Sequence, residues 1–376
     1  MIALFALLPL AVWFYLLAGR GMFWVMQERD DAGVPAEPAS WPSVVAVVPA
    51  RNEADVIART LASLLAQDYP GSFRILLVDD QSSDGTASAA RALPGSERLT
   101  VLAGAPRPAG WTGKLWAVRQ GIAEAGDPDY LWLTDADIAH APDNLRKLVA
   151  RAQSGGLVLT SLMAKLHCSS WSERYLIPAF VFYFDMLFPF AFVNDPKRKV
   201  AAAAGGCMLV RREALERAGN IDAIRSEIID DCALGRAMKA QGPIWLGLTE
   251  RAVSIRPYSG MREIRAMISR SAYAQLGYSP LLLLGTLAGM ALVFLAGPCF
   301  ALFARDSAQA SGILAWLAMV LAYQPILKFY RCSPLWGLAL PLIGAVYALF
   351  TLDSAIQHWR GRGGMWKGRA QALGQT

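Results

Sequence analysis

A chain of 376 residues that is 55% hydrophobic and only 18% charged, with a mean hydropathy of +0.32, is more apolar than an ordinary soluble domain of its length, so part of it is expected in lipid. The formal net charge of +6 is spread along the chain, without basic residues interleaved with aromatics on one surface, which argues against a nucleic-acid partner. Five cysteines with no C-x-x-C pair fit a reducing compartment and argue against a cysteine-ligated zinc, and three scattered histidines give no ligand pair.

In chain order, the apolar stretch Ile2 to Gly19 comes first. No Lys or Arg precedes it and no A-x-A-like cleavage site follows, so residues 1–27 read as a retained membrane anchor. A connector, Asp31 to Pro42, leads into a buried-strand run, Ser43 to Val48, stopped by Pro49. From Glu53 onward Ile57, Leu61, Leu64 and Leu65 recur at helical spacing until Pro70 and Gly71, and Phe73 to Val78 is the next strand. This βαβ unit implies a parallel sheet covered by helices. The pattern continues with a strand at Leu99 to Leu102, a helix at Lys114 to Ala125, a strand at Tyr130 to Thr134, and a helix opened by Pro142 with Leu145, Leu148 and Val149 on one face. The sheet domain is expected over 43–270.

Trp171 to Val193 is aromatic-rich but broken by Glu173, Arg174, Asp185 and two prolines. It reads either as a helix lying in the headgroup region or as a packing helix against the membrane part. Leu281 to Ala304 is 24 residues without a charge, long enough to cross the hydrocarbon core. Gly312 to Leu327 and Leu335 to Leu352 are shorter apolar stretches, giving membrane helices over 281–352 and a basic tail over 353–376 with Arg360, Arg362, Lys367 and Arg369. Arg20 and Arg29 follow the first span, which places the sheet domain in the cytoplasm. Four spans would leave the basic tail on the far side, so three spans, or four segments with one re-entrant, are both open.

The polar residues gather at strand ends. In "ILLVDDQSSDGT" (Ile75 to Thr86) an apolar run stops at Asp79 and Asp80, and ligands of open α/β sheets collect beyond the carboxyl ends of such strands. "SSDGT" is also ordinary turn chemistry, so a capping role is the alternative. In "TDADIAH" Asp135 and Asp137 stand two apart, which in extended chain points both carboxylates to one side. Hard cations such as Mg²⁺ or Mn²⁺ take such ligands together with substrate phosphates; the alternative is two solvated loop carboxylates. With Arg51, Asn52 and Glu53 at the first strand end, these groups suggest one polar crevice for a nucleotide. Gly205 and Gly206 can let backbone approach a ligand closely or can form a simple tight turn. Asp230 and Asp231 open "DDCALGRAMKAQG", where an acid also favours a helix N-terminus.

Six motifs, "VVPARNE", "LLVDDQSSDGT", "GWTGKLWA", "LTDAD", "AGGCMLVRREAL" and "IIDDCALGRAMKAQG", stand in order across Ser43 to Gly242. With them the chain resembles the inverting GT-A-fold glycosyltransferases of family 2. "GWTGKLWA" with a hydrophobic C-terminal part makes it most similar to the membrane glycosyltransferases associated with hopanoid biosynthesis. The resemblance implies an α/β fold of the nucleotide-diphospho-sugar transferase type, a Rossmann-like mixed sheet flanked by helices, with transmembrane helices added. It further implies a nucleotide-sugar donor held by Pro49, Asn52, Glu53, Asp79, Asp80, Lys114 and Asp135, and a Mg²⁺ or Mn²⁺ cofactor on Asp135 and Asp137. Gly205 and Gly206 fall on the acceptor side, and Asp231 is the catalytic base with Asp230 supporting it. Many processive relatives carry Q-x-x-R-W; here "MISRSAY" keeps only Arg270, which could meet the diphosphate. That departure favours a single transfer to a lipid acceptor by an integral protein of the cytoplasmic (inner) membrane. A polyprenyl-phosphate glycosyltransferase, or a transport or scaffold protein that merely binds a nucleotide, are the competing expectations.

Overall fold

The computed structural model describes residues 2–33, 35–366 and 369–370; Lys367 of the expected basic tail lies outside them. The chain divides into two compact units, one built from Glu28–His167, Phe192–Arg256 and Met365–Thr376, the other from Met1–Gln27, Cys168–Ala191 and Pro257–Gly364.

The first unit holds an eight-stranded sheet. Its strands are β1 (Val44–Ala50), β2 (Phe73–Asp79), β3 (Leu99–Ala103), β4 (Tyr130–Thr134), β5 (Ile138–His140), β6 (Leu159–Lys165), β7 (Cys207–Arg211) and β8 (Ile244–Ser254), in the order β3-β2-β1-β4-β7-β6-β8-β5. β1 and β4 are buried at every position, as strands covered on both faces must be. β3, β2, β1 and β4 run parallel, whereas β7 is antiparallel to both β4 and β6, which makes the sheet mixed. β1 continues through Pro49 to Ala50 rather than stopping at Val48. Its ladder with β4 ends at Val47 opposite Leu133, leaving β2 as the remaining partner, and a proline without an N–H is tolerated where pairing is one-sided.

Helices cover the sheet as the apolar spacing requires. Ile57–Leu65 buries Ile57, Leu61 and Leu64. Gly113–Glu124 lies against β1 and β2 at Gly121, where a Cβ would sit 2.4 Å from Val47 Cγ1 and 3.1 Å from Val78 Cγ2. Only a glycine lets the helix approach this closely.

The second unit contains the apolar helices. Three are long and apolar enough to cross a membrane: Pro280–Phe303, Asp306–Phe329 and Pro334–Trp359. The last of these runs past Leu352 because "DSAIQHW" continues its helical turn. The N-terminal helix Ile2–Gly19 is apolar but shorter. Leu281, Leu284, Phe303, Leu321, Leu342 and Leu349 are exposed, an outward apolar surface of the kind hydrocarbon covers. Small residues face inward: a Cβ on Gly312 would lie 2.4 Å from the Ala301 nitrogen, and close approach through small residues is how helices pack in lipid. Trp171–Leu187 is a helix of this unit despite its charges, because each buried acid has a partner. Glu173 completes a capping box with Ser170 and accepts the Tyr258 amide at 2.8 Å, and Asp185 accepts the Phe190 amide at 2.9 Å.

Replacing Gly121 by Val overpacks the contact between this helix and β1. We expect a loss of about 1–3 kcal/mol, measured by denaturation of the full-length protein in detergent, while Gly285→Ala, in helical backbone and with an added Cβ that meets nothing within 4 Å, loses less.

Candidate active site

The carboxyl ends of β2, β1 and β4 are adjacent, and the polar residues of the first half of the chain converge there. The loop after β1 is fastened to the loop after β2. Asn52 takes the left-handed conformation (φ 50°); its N–H donates to Ser82 Oγ at 2.9 Å and its Oδ1 accepts the Ser83 N–H at 2.9 Å. The Glu53 N–H donates to Thr86 Oγ1 at 2.8 Å and the Ala54 N–H to Asp84 Oδ2 at 3.0 Å. "SSDGT" therefore acts as a turn that pins two strand ends together. Asp80 is fully buried beside Arg51, whose guanidinium donates to the Asp80 carbonyl at 2.5 Å. Asp79 accepts the Ser82 N–H at 3.1 Å and remains partly open.

Lys114 is the centre of the site. It lies in the first turn of Gly113–Glu124, behind the cap in which Thr112 accepts the Leu115 N–H. Its amine sits 2.8 Å from Asp135 Oδ1 and 3.0 Å from Asp230 Oδ2. Burial alone would favour the neutral amine, but Asp135 and Asp230 outweigh it and hold Lys114 protonated well above the usual range. Burial raises the Asp135 carboxyl, with Asp137 adding to the rise and Lys114 opposing it. A cleft lined by Pro49, Lys114, Thr134, Asp135, Gly205, Met208 and Asp230 joins the end of β4 to the helix Asp230–Lys239.

Asp231 occupies the first turn of that helix. Its Oδ2 accepts the Gly205 N–H at 3.1 Å and its Oδ1 the Cys232 N–H at 2.7 Å. Burial and the neighbouring Asp230 carboxylate push its pKa up to about 6, against the opposing pull of Lys114 and the two N–H donors. A carboxylate so tuned can take a proton near neutrality. Gly205 belongs to this contact: a Cβ there would stand 3.2 Å from Lys114 Nζ and 3.5 Å from Asp231 Oδ2. Gly206 instead packs on Ala164 and Ile138, and its carbonyl accepts from Thr134 Oγ1 at 2.8 Å.

The two acids of "TDAD" pair with different cations. The chain turns at Asp135 to enter β5, with the Ile138 N–H reaching the Asp135 carbonyl at 3.4 Å, so the extended geometry expected for this stretch does not hold. Asp135 meets Lys114, whereas Asp137 lies 3.3 Å from Arg256 Nε. Arg256 also pairs with Glu53 and reaches Asp55 at 3.4 Å. Among the described residues no three His, Cys, Asp or Glu side chains gather as a metal cage. Two carboxylates from one turn nevertheless fit a hard cation that takes its other ligands from phosphate and water. Six carboxylates, Asp135, Asp230 and Asp231 near Lys114 and Glu53, Asp55 and Asp137 around Arg256, stand against those two cations.

Sequence reasoning missed Arg256. It lies two residues beyond β8, a strand that mixes polar with apolar residues; a cation at a strand end facing acidic ones was the available signal. Arg270 belongs to the other unit, exposed at the end of Met261–Ser269.

Residues 45–219 match the family model described as Glycosyl transferase family 2. An N-acetylglucosaminyltransferase of Mesorhizobium japonicum is 27% identical over 194 residues, 49% of this chain and 43% of that protein. The succinoglycan biosynthesis protein ExoO of Rhizobium meliloti is 34% identical over 116 residues, 31% of each chain. The chain thus spans less than half the length of these curated relatives. Among solved structures, the mannosyltransferase PcManGT of Pyrobaculum calidifontis, determined with GDP-Man and Mn²⁺, aligns with a TM-score of 0.59 at 21% identity, over 96% of this chain and 100% of that one, a likeness of fold. The chain thus matches the glycosyltransferase family 2 model over 45–219 and shares the GT-A-like mixed sheet of PcManGT as a fold.

Proposed function

We propose that this protein is a membrane-bound inverting glycosyltransferase that moves a hexosyl group from a nucleotide-sugar donor to a hydroxyl of a lipid acceptor. The observation that carries the reading is Asp231: a carboxylate with its pKa raised to about 6, oriented by the Gly205 amide, one residue from the Lys114 ion pair. In the reaction the acceptor oxygen attacks the anomeric carbon, its proton passes to Asp231, and the bond from that carbon to the nucleotide diphosphate breaks with its electron pair leaving on the diphosphate. Attack opposite the leaving group inverts the anomeric centre. Lys114 supplies positive charge where that leaving group gathers electrons. Asp79, Asn52 and Glu53 line the strand ends that would receive the nucleoside, and Asp80 supports them from the interior.

The balance of charge supports a divalent cation. Six carboxylates around two cations make surroundings that repel a bare diphosphate. Asp135 and Asp137 would hold Mg²⁺ or Mn²⁺, which when bound neutralises the diphosphate. PcManGT was solved with GDP-Man and Mn²⁺, which is consistent with this. The three long apolar helices favour a lipid acceptor and a place in a membrane, and Arg20 and Arg29 after the N-terminal apolar helix favour the cytoplasmic side for the sheet unit. A hopanoid is the narrower acceptor suggested by "GWTGKLWA" together with those helices, and Arg270 and the acceptor-side Gly205 and Gly206 are assigned on the same resemblance.

Membranes containing the protein, incubated with a panel of labelled sugar nucleotides and then extracted for lipids, are expected to yield one labelled lipid. Asp231→Asn is expected to lower kcat by roughly 10²–10⁴-fold with little change in KM. An unchanged rate would instead mean a phosphate acceptor, with Arg270→Ala more damaging, and no labelled lipid from the unaltered protein would mean a non-catalytic binding role.

Because the base must be ionised, kcat/KM is expected to rise with pH through about 6 and level off above it, following the raised carboxyl of Asp231. A flat profile from pH 5 to 8 removes Asp231 from the chemical step.

Chelation is expected to abolish transfer and added Mn²⁺ or Mg²⁺ to restore it, with Asp137→Ala no longer rescued. Transfer that survives chelation would take the cation out of the site.

A further inference from the structure

The helix that bears Asp231 grips one stretch of chain along its whole length. Asp231, Gly235 and Lys239 recur at four-residue steps, so they share one face. At the far end the Lys239 amine donates to four backbone carbonyls, Val193 and Val200 at 2.6 Å, Asp195 at 3.1 Å and Phe192 at 3.3 Å. An ammonium has three protons, so four acceptors saturate it. In the middle Gly235 touches the same stretch: a Cβ there would lie 2.7 Å from the Ala202 carbonyl carbon and 3.0 Å from the Ala203 nitrogen. At the near end the Gly205 N–H meets Asp231 Oδ2 at 3.1 Å. The stretch between, Val200–Ala204, has no regular secondary structure, yet Ala201, Ala202, Ala203 and Ala204 are buried. Irregular buried backbone stays in place only where its polar groups find partners, and here Lys239 provides several of them.

We infer that Lys239 is a positioning residue for the carboxylate of Asp231, acting through the chain from Val193 to Gly205 whose last amide orients that carboxylate. The inference rests on the reading of Asp231 as the base. Lys239 secures the upstream carbonyls, Gly235 leaves room for the chain to lie flat on the helix, and Gly205 arrives in register with Asp231. A lysine serving only the helix dipole would need none of these contacts with another segment.

Two readouts test it on the full-length protein in detergent. The first is amide hydrogen exchange of a peptide covering 200–206. Lys239→Met and Gly235→Ala are each expected to speed exchange there by ~5-fold or more, as loss of one or two anchoring bonds would, with β1 and β2 unchanged; Lys239→Arg keeps a donor and is expected to restore part of the protection. The second is the acid limb of the pH–rate profile for the donor identified above. A carboxylate that loses an N–H donor titrates higher, so the limb is expected to move up by roughly half a unit or more in both variants.

The groups facing Asp231 are Asp230 and Cys232 on its own helix, with Arg236 beyond Cys232, Lys114 from Gly113–Glu124 and, through Lys114, Asp135 just after β4. Removing the Lys239 charge, ~12 Å away along the helix, would by itself also raise the buried Asp231 carboxyl, so the shift in Lys239→Met mixes charge with geometry. Gly235→Ala changes no charge, so its shift reports geometry. Faster exchange with an unmoved acid limb in a folded Gly235→Ala protein overturns the coupling to the base, and unchanged exchange in both variants overturns the clamp. If no sugar nucleotide is turned over by the unaltered protein, the reading of Asp231 fails, and the exchange arm still decides whether the clamp exists.

Discussion

One amine between two carboxylates organises the site. Lys114 carries its charge into a partly enclosed cleft, and an unpaired ion there would cost several kcal/mol, so it needs both Asp135 and Asp230. The two acids come from distant parts of the chain, the end of β4 and the start of Asp230–Lys239. Satisfying the amine therefore fixes the spacing between the turn that carries Asp137 and the helix that carries Asp231. The same ion group sets the chemistry of its neighbours. Burial raises the Asp231 carboxyl, the adjacent Asp230 adds to the rise, and Lys114 keeps it from rising further.

Around this centre the fold supplies rigid supports. β1, β2 and β4 end side by side, and the turn at Asp84–Thr86 ties the first two ends together through the amides of Glu53 and Ala54. Arg256 adds a second cation, linking the loop after β1 to Asp137 through Glu53, Asp55 and Asp137. The acids lie within two charged groups, each with its own cation, rather than in one cluster. This keeps a carboxylate-rich cleft tolerable in the absence of substrate, since like charges gathered without counter-ions would repel.

Much of this was legible in the residues. β1, β2 and β4 are short apolar runs that stop at polar groups, and their extents were read to within two residues because strands buried on both faces leave an uninterrupted signature. The other half of the sheet was not readable. β6 (LTSLMAK) and β8 (IWLGLTERAVS) mix polar and apolar residues, and β7 takes its place by antiparallel pairing with strands far away in sequence. Asp230 and Asp231 could be seen as a pair of acids at a helix start, but the Lys114 contact that distinguishes them spans more than a hundred residues and leaves no local trace. The geometry of Asp135 and Asp137 was misjudged for a related reason: a two-residue spacing describes a strand, and the chain had already turned towards β5.

The course of the chain carries a practical corollary. Residues 168–191 leave the sheet unit, join the apolar helices, and the chain then returns to complete the sheet with β7 and β8. No single cleavage point therefore liberates a self-sufficient sheet unit. A secreted or soluble version trimmed at both termini would keep an orphaned helix in which Leu176 has lost the Tyr347 hydroxyl and Phe182 the ring of Tyr323. Soluble engineering of this protein has to splice that excursion out and bridge its ends, not merely shorten the polypeptide.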